Sequence, residues 1–273
     1  MTTTSAIADL ARTRKRAPRM PRLVNAELLK LRKRRGLVLV TFALTVLPMI
    51  IAYLVLVALH AAEPAKHGPA GGLDNFSGSL YLLAQLGVVA AILIGATAGA
   101  GDIGSGVFRE LVVTGRSRLV LFAARLPAAL GLTIAAVWAG FALTALASTV
   151  LAGSLQAPGG GLLLEGAGWL ALVVALALIL ALGLSSALGS RGITIGIVLG
   201  LELALMPVLL QIRTLGSLRE LLPVVATDAL APSALFDGEV AVPTSVSVAV
   251  AVIAAWTLVP LAAGAWRTCK RDA

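Results

Sequence analysis

Read as apolar and polar positions, the chain is six long apolar runs separated by short polar breaks. The runs fall at roughly 37–59, 80–101, 126–152, 168–188, 193–212 and 245–266. About 20 apolar residues at a 1.5 Å rise cross the ~30 Å hydrocarbon core, so each run predicts a membrane-spanning helix. Lipid offers no partner for an open sheet edge, and the two-residue alternation of a membrane barrel is absent. The expected fold is an all-α polytopic membrane protein with six transmembrane helices. The first run is too long for the apolar stretch of a signal peptide and no A-x-A site follows it cleanly, so it is expected to be a retained helix.

Ahead of the first span, "RLVNAELLKLRKRRG" repeats apolar residues with a helical period: Val24, Leu28 and Leu31 share a face, with Glu27 and Lys30 beside them. Pro21 suits a first helical turn, where its missing N–H is no loss. This predicts an amphipathic helix lying in the cytoplasmic interface and leading into the first span. Residues 1–20 are polar, rich in Thr and Arg, and expected to form a disordered basic tail. Residues 21–273 are expected to form one six-span domain.

Composition agrees with the pattern. The chain is 59% hydrophobic and 13% charged, where a soluble domain carries about 25% charged residues. The net charge of +9 does not point to nucleic acid, because the basic residues crowd beside spans and set topology. All but Lys66, Arg213 and Arg219 of the 22 Lys and Arg fall on the side of both termini. The positive-inside rule therefore predicts cytoplasmic termini in a cell (plasma) membrane. The single cysteine, Cys269, excludes an internal disulfide framework.

Within the spans, small residues recur every fourth position. Gly87, Ala91, Gly95 and Gly99 line one face of the second span, and Gly192, Gly196, Gly200 and Ala204 one face of the fifth. Such faces let helix backbones approach closely, within the chain or at a seam with a second chain. Glu202 reads as the one ionisable residue well inside a span. A charge there costs about 2.5–3.5 kcal/mol on insertion scales, so it is expected to face a cavity, a partner helix or a subunit seam, or to be neutral. The long outer segment 213–243, with Leu215, Leu218 and Leu222 at helical spacing, predicts a short interfacial or re-entrant helix. Asn75-Phe76-Ser77 matches a glycosylation tripeptide, a pattern common by chance.

Catalytic chemistry is not visible. There is no phosphate-binding G-x-x-x-x-G-K-[ST] loop. His60 and His67 lack accompanying Cys or acidic ligands, so no metal site is expected. A serine nucleophile at Ser105 would need a histidine inside a span, and there is none. The chain is expected not to be an enzyme and to hold no cofactor.

The most unusual stretch is "GDIGSGVFRELVVTGRSRLVLF", where Asp102, Arg109, Glu110, Arg116 and Arg118 interrupt apolar sequence between the second and third spans. A short helix over 105–114 is expected, with Gly115 ending it. Charged on one side and held between two spans, it suits docking in a groove on a cytosolic partner.

This stretch resembles the first cytoplasmic loop of the membrane subunits of ABC transporters of the type-2 exporter class (ABC-2 permeases). An acidic residue, Asp102, precedes the Ser105-Gly106 step. A helix carrying Arg109, Glu110 and Leu111 ends in Thr114, and Ser117-Arg118 leads to Arg125. "NAELLKLRKRRG" is similar to the family's lead-in helix, and "LRELLPVVATDALAPSALF" to its segment before the last span. Gly115-Arg116 stands where the family more often has a proline-bearing turn, and Asp102 where Glu is commoner. The resemblance implies a permease working with a second permease chain and with separate ATP-binding cassette subunits, which would carry ATP and Mg²⁺. The 105–114 helix would be the coupling helix, with Asp102, Ser105, Arg109, Glu110, Thr114, Arg116 and Arg118 toward the ATPase. The cargo would be hydrophobic or amphipathic. An ion-gradient-driven carrier and a membrane assembly scaffold are the alternatives.

Overall fold

The computed structural model describes residues 20–104, 117–235 and 242–270. Among them the chain is helical, and six helices are long and apolar enough to cross a membrane: Arg35–Ala62, Leu73–Gly101, Arg118–Val150, Gly160–Leu188, Arg191–Gln211 and Val246–Lys270. It is a multi-pass membrane protein. Several helices outrun their apolar stretches. The second and fourth begin earlier, at Leu73 and Gly160, and the third begins at Arg118. The added turns carry charged or polar residues, Asp74 and Asn75, Arg118 and Arg125, and Glu165, so hydropathy alone marks these helices short.

Helix α1 (Met20–Lys33) precedes the first span, with Pro21 in its opening turn. Leu23 and Leu31 are buried and Val24, Glu27 and Leu28 half-buried against the start of the third span. The predicted face is therefore the packed one, with Leu23 added to it. Lys30 pairs with Glu27 at 2.7 Å on the flank. Met20, assigned from sequence to the tail, is the first residue of α1.

The first span is two helices, α2 (Arg35–Thr45) and α3 (Leu47–Ala62), divided at Val46. Pro48 explains the break: it lacks the N–H that would bond back to Leu44. The second span is α4 (Leu73–Gly104), the third α5 (Arg118–Val150) and the fourth α6 (Gly160–Leu188). Gly189 at φ 75° closes α6 in the left-handed conformation. The fifth span comprises α7 (Arg191–Gly200), a π-helical turn over Leu201–Leu205, and α8 (Met206–Gln211). Pro207 sits in the first turn of α8 and cannot donate, and the Met206 N–H reaches the Leu201 carbonyl across the wide turn. The sixth span is α10 (Val246–Lys270).

The core lies where the second, third and fourth spans meet. Gly95 faces the Leu178 carbonyl and Ala181, and Gly99 faces Ser185, Ser186 and the Leu182 carbonyl. Gly87 faces Val174 and Val137. The small face of the second span is thus an intrachain packing face. The sixth span docks on the fourth in the same way, Gly183 against Pro260 and Gly264 against Gly183. Span hydroxyls largely bond within their own helices, as Thr41, Thr133 and Thr144 do to the carbonyl four residues earlier.

At the end away from the termini, the Gly71 and Gly72 N–H groups donate to the Leu151 and Ser148 carbonyls at 2.9 Å, joining the outer ends of the second and third spans. The Asn75 amide there donates to the carbonyls of Pro69, Ala70 and Gly71 at 3.0–3.2 Å. That side chain is committed to the turn, which gives the glycosylation tripeptide a structural role. The segment after the fifth span folds back on the bundle as a 3₁₀ helix (Arg213–Leu221) and α9 (Pro223–Asp228). Two indoles hold it: Trp169 donates to the Thr227 carbonyl at 3.1 Å and Trp256 to the Leu221 carbonyl at 3.0 Å.

Candidate functional site

The fifth span carries Glu202 in its π-helical turn, where the backbone departs from the α register. Such turns recur at functional positions because the widened backbone re-aims a side chain. Glu202 is half-buried and lines a cavity of about 90 Å³ closed by the second and fourth spans and by α9. Asp228, at the end of α9, lines the same cavity, with Tyr81 and Gln85 from the second span and Trp169 from the fourth. The floor is apolar, from Val88, Leu176 and Ala177. A fold-back segment and a broken span thus bring two carboxylates to one chamber near the far end of the bundle.

Two of the donors lining this chamber, and the nearest basic side chains, are committed elsewhere. The Trp169 N–H is used by the Thr227 carbonyl, and the Thr227 hydroxyl by the Val224 carbonyl at 2.9 Å. Arg219 turns to the Gly216 and Leu210 carbonyls at 3.3 Å, and Lys66 pairs with Glu63. Among the described residues neither Glu202 nor Asp228 has an ion pair.

Solvent reaches Asp228, yet the apolar walls raise its carboxyl from the ordinary 3.8 to about 6, through burial. A raised acid pKa means that the fold favours the protonated form. That stabilisation is present below about pH 4 and is lost as pH rises through about 6. Asp228→Asn is therefore expected to raise the melting temperature of the detergent-solubilised protein at about pH 8, and the gain should shrink toward about pH 4. A melting curve across that range checks it, and an equal gain at both ends would contradict it.

The other predicted positions divide. Gly87, Gly95 and Gly99 pack inside the chain, whereas a side chain added at Gly192, Gly196 or Gly200 would meet nothing within 4 Å. The glycine face of the fifth span is open, flanked by exposed Ile193 and Ile197. Ser105, Arg109, Glu110, Thr114 and Arg116 lie outside the described residues, as does the side chain of Asp102. Arg118 opens the third span and donates to the Cys269 carbonyl at 3.2 Å, a cation at the last turn of the sixth span. His60 Nδ1 lies 2.7 Å from the His67 carbonyl oxygen, and among the described residues no three His, Cys, Asp or Glu gather as a metal site would require.

Arg125, placed from sequence just ahead of the third span, lies in the first turns of its helix and is 1% exposed. Its guanidinium donates to the Gly99 carbonyl at 3.1 Å, and the Ser186 hydroxyl approaches the same oxygen at 3.3 Å. Three spans therefore converge on one carbonyl.

The chain matches no protein-family profile and no curated protein. What it does must be argued from the residues. Asp228, Tyr81 and Gln85 were not singled out by sequence. The available signal was an acidic residue inside "PVVATDALAP", an apolar stretch too short to span a membrane.

Proposed function

We propose that this chain is the membrane-spanning permease subunit of an ATP-driven exporter, moving a hydrophobic or amphipathic substrate. The observation that carries the reading is the arrangement at the basic end of the bundle. The charged 102–116 connector leaves and re-enters there between the second and third spans, and α1 packs on the start of the third. Both flanks are fixed, by Arg125 on the Gly99 carbonyl and by Arg118 on the Cys269 carbonyl. A polar segment anchored at both ends on packed helices can pass a partner's movement into the bundle.

In this reading two such chains work with separate ATP-binding subunits, which hold ATP and Mg²⁺. The permease contributes two states of differing access and no chemical step. The open glycine face of the fifth span is available to the second permease chain. The protein resides in the plasma membrane with both termini cytoplasmic.

Co-purification tests the reading. A tagged wild-type chain extracted in mild detergent is expected to bring down a nucleotide-binding subunit, and the Arg109→Glu, Glu110→Arg double variant to lose it. A well-folded chain that never retains an ATPase would overturn the assignment. Orientation is checked with Cys269, which is exposed. A membrane-impermeant maleimide is expected to label it only after the cells are permeabilised.

A gradient-driven carrier is the second reading. It is favoured by the broken fifth span, which presents a carboxylate to a polar chamber as discontinuous helices do in such carriers. Ion-driven uptake into proteoliposomes without any ATPase would bring it forward.

A further inference from the structure

We propose that the chamber between the second, fourth and fifth spans and α9 binds a cationic head group of the alkylammonium type. The cavity holds two carboxylates, Glu202 and Asp228, delivered by separate elements and without an ion pair among the described residues. Its N–H and O–H groups from Trp169 and Thr227 are consumed by backbone carbonyls. The Gln85 amide and the Tyr81 hydroxyl can each accept as well as donate, and the two carboxylates tip the balance toward acceptors, which favours a positive guest over an anion.

Size and wall chemistry narrow the class. About 90 Å³ is several times the space one water requires. Hard metal ions gather about six to eight oxygens, and the carboxylates and the Gln85 amide supply fewer. An alkylated ammonium is larger and weakly hydrated. It is held by carboxylates at a distance and by aromatic faces, and the rings of Tyr81 and Trp169 stand in this wall. The apolar floor of Val88, Leu176 and Ala177 suits the methyl or methylene groups next to the nitrogen.

The proposal names a ligand class for the exporter reading but does not depend on it, because binding by the full-length chain is measured with no ATPase present. The chain is placed in nanodiscs of zwitterionic lipid, and binding of tritiated hexyltrimethylammonium is followed. Saturable binding to one site per chain is expected. Glu202→Gln and Asp228→Asn should each weaken it about tenfold or more. Glu165→Gln, at a neighbouring groove on the fourth span, should leave it unchanged. Two competitions on the wild type need no variant to fold. The uncharged isostere with a tert-butyl head should not displace the probe, and sodium should not displace it at comparable concentration. Absence of saturable binding by the monodisperse wild type overturns the proposal. So does equal competition by the isostere, which would mean an apolar groove, or by sodium, which would mean an inorganic ion site. Unchanged affinity in both carboxamide variants overturns it as well.

Discussion

Replacing Gly99 by leucine is expected to remove folded protein from the membrane extract. A Cβ there would collide with Ser185 and with the Leu182 carbonyl of the fourth span. Backbone cannot yield as a flexible side chain does, so the two spans must separate. The loss should be about 3 kcal/mol or more, a large part of a typical folding free energy. Fluorescence-detected size exclusion is expected to show the monodisperse peak of the wild type replaced by aggregate. Gly196→Leu is the matched control. Its added side chain meets nothing within 4 Å, so the chain should still fold. A Gly99→Leu protein as monodisperse and heat-stable as the wild type would contradict this packing.

Arg125→Ala is expected to have the next largest effect. The guanidinium is buried to 1% exposure and donates to the Gly99 carbonyl. Removing it leaves a void of several methylenes and takes a charge-assisted bond from that oxygen. Together these should cost about 3 kcal/mol. The melting temperature in detergent should fall by several degrees. Arg125→Lys should recover only part of it, because one ammonium cannot reproduce the planar fork. Full stability of the alanine variant would show that the buried cation does not hold the three spans together.

Much of the architecture was legible because the bilayer imposes a simple rule on length and hydropathy. The six spans and the packed face of α1 follow from apolar period alone. The breaks did not follow. Pro48 and Pro207 are both visible in the sequence, yet one divides a helix and the other accompanies a wide turn, and only the neighbouring backbone distinguishes them. The glycine stripes of the second and fifth spans look alike on paper. One is filled by the fourth span and the other faces outward. Periodicity reports a face, not its occupant. The candidate site was half legible for the same reason. Glu202 stands out against its own span, but Asp228 joins it through a fold-back held by two tryptophans, a long-range contact that no local pattern announces.

The hairpin of the second and third spans is tied at both ends. Its outer tips are joined by the Gly71 and Gly72 bonds to the third span, and its inner ends by Arg125 on Gly99. Its members, of 32 and 33 residues, are about 50 Å long. Bound at both ends, with Gly95 and Gly99 seated against the fourth span, the pair resists splaying and forms one stiff unit with that span. A tilt of about 5° imposed at the connector would carry the far tips about 4 Å. Tyr81 and Gln85 ride near those tips, in the wall of the carboxylate chamber. Under the proposed exporter reading, a small push on one side of the membrane would reach the other side as a larger change in chamber width.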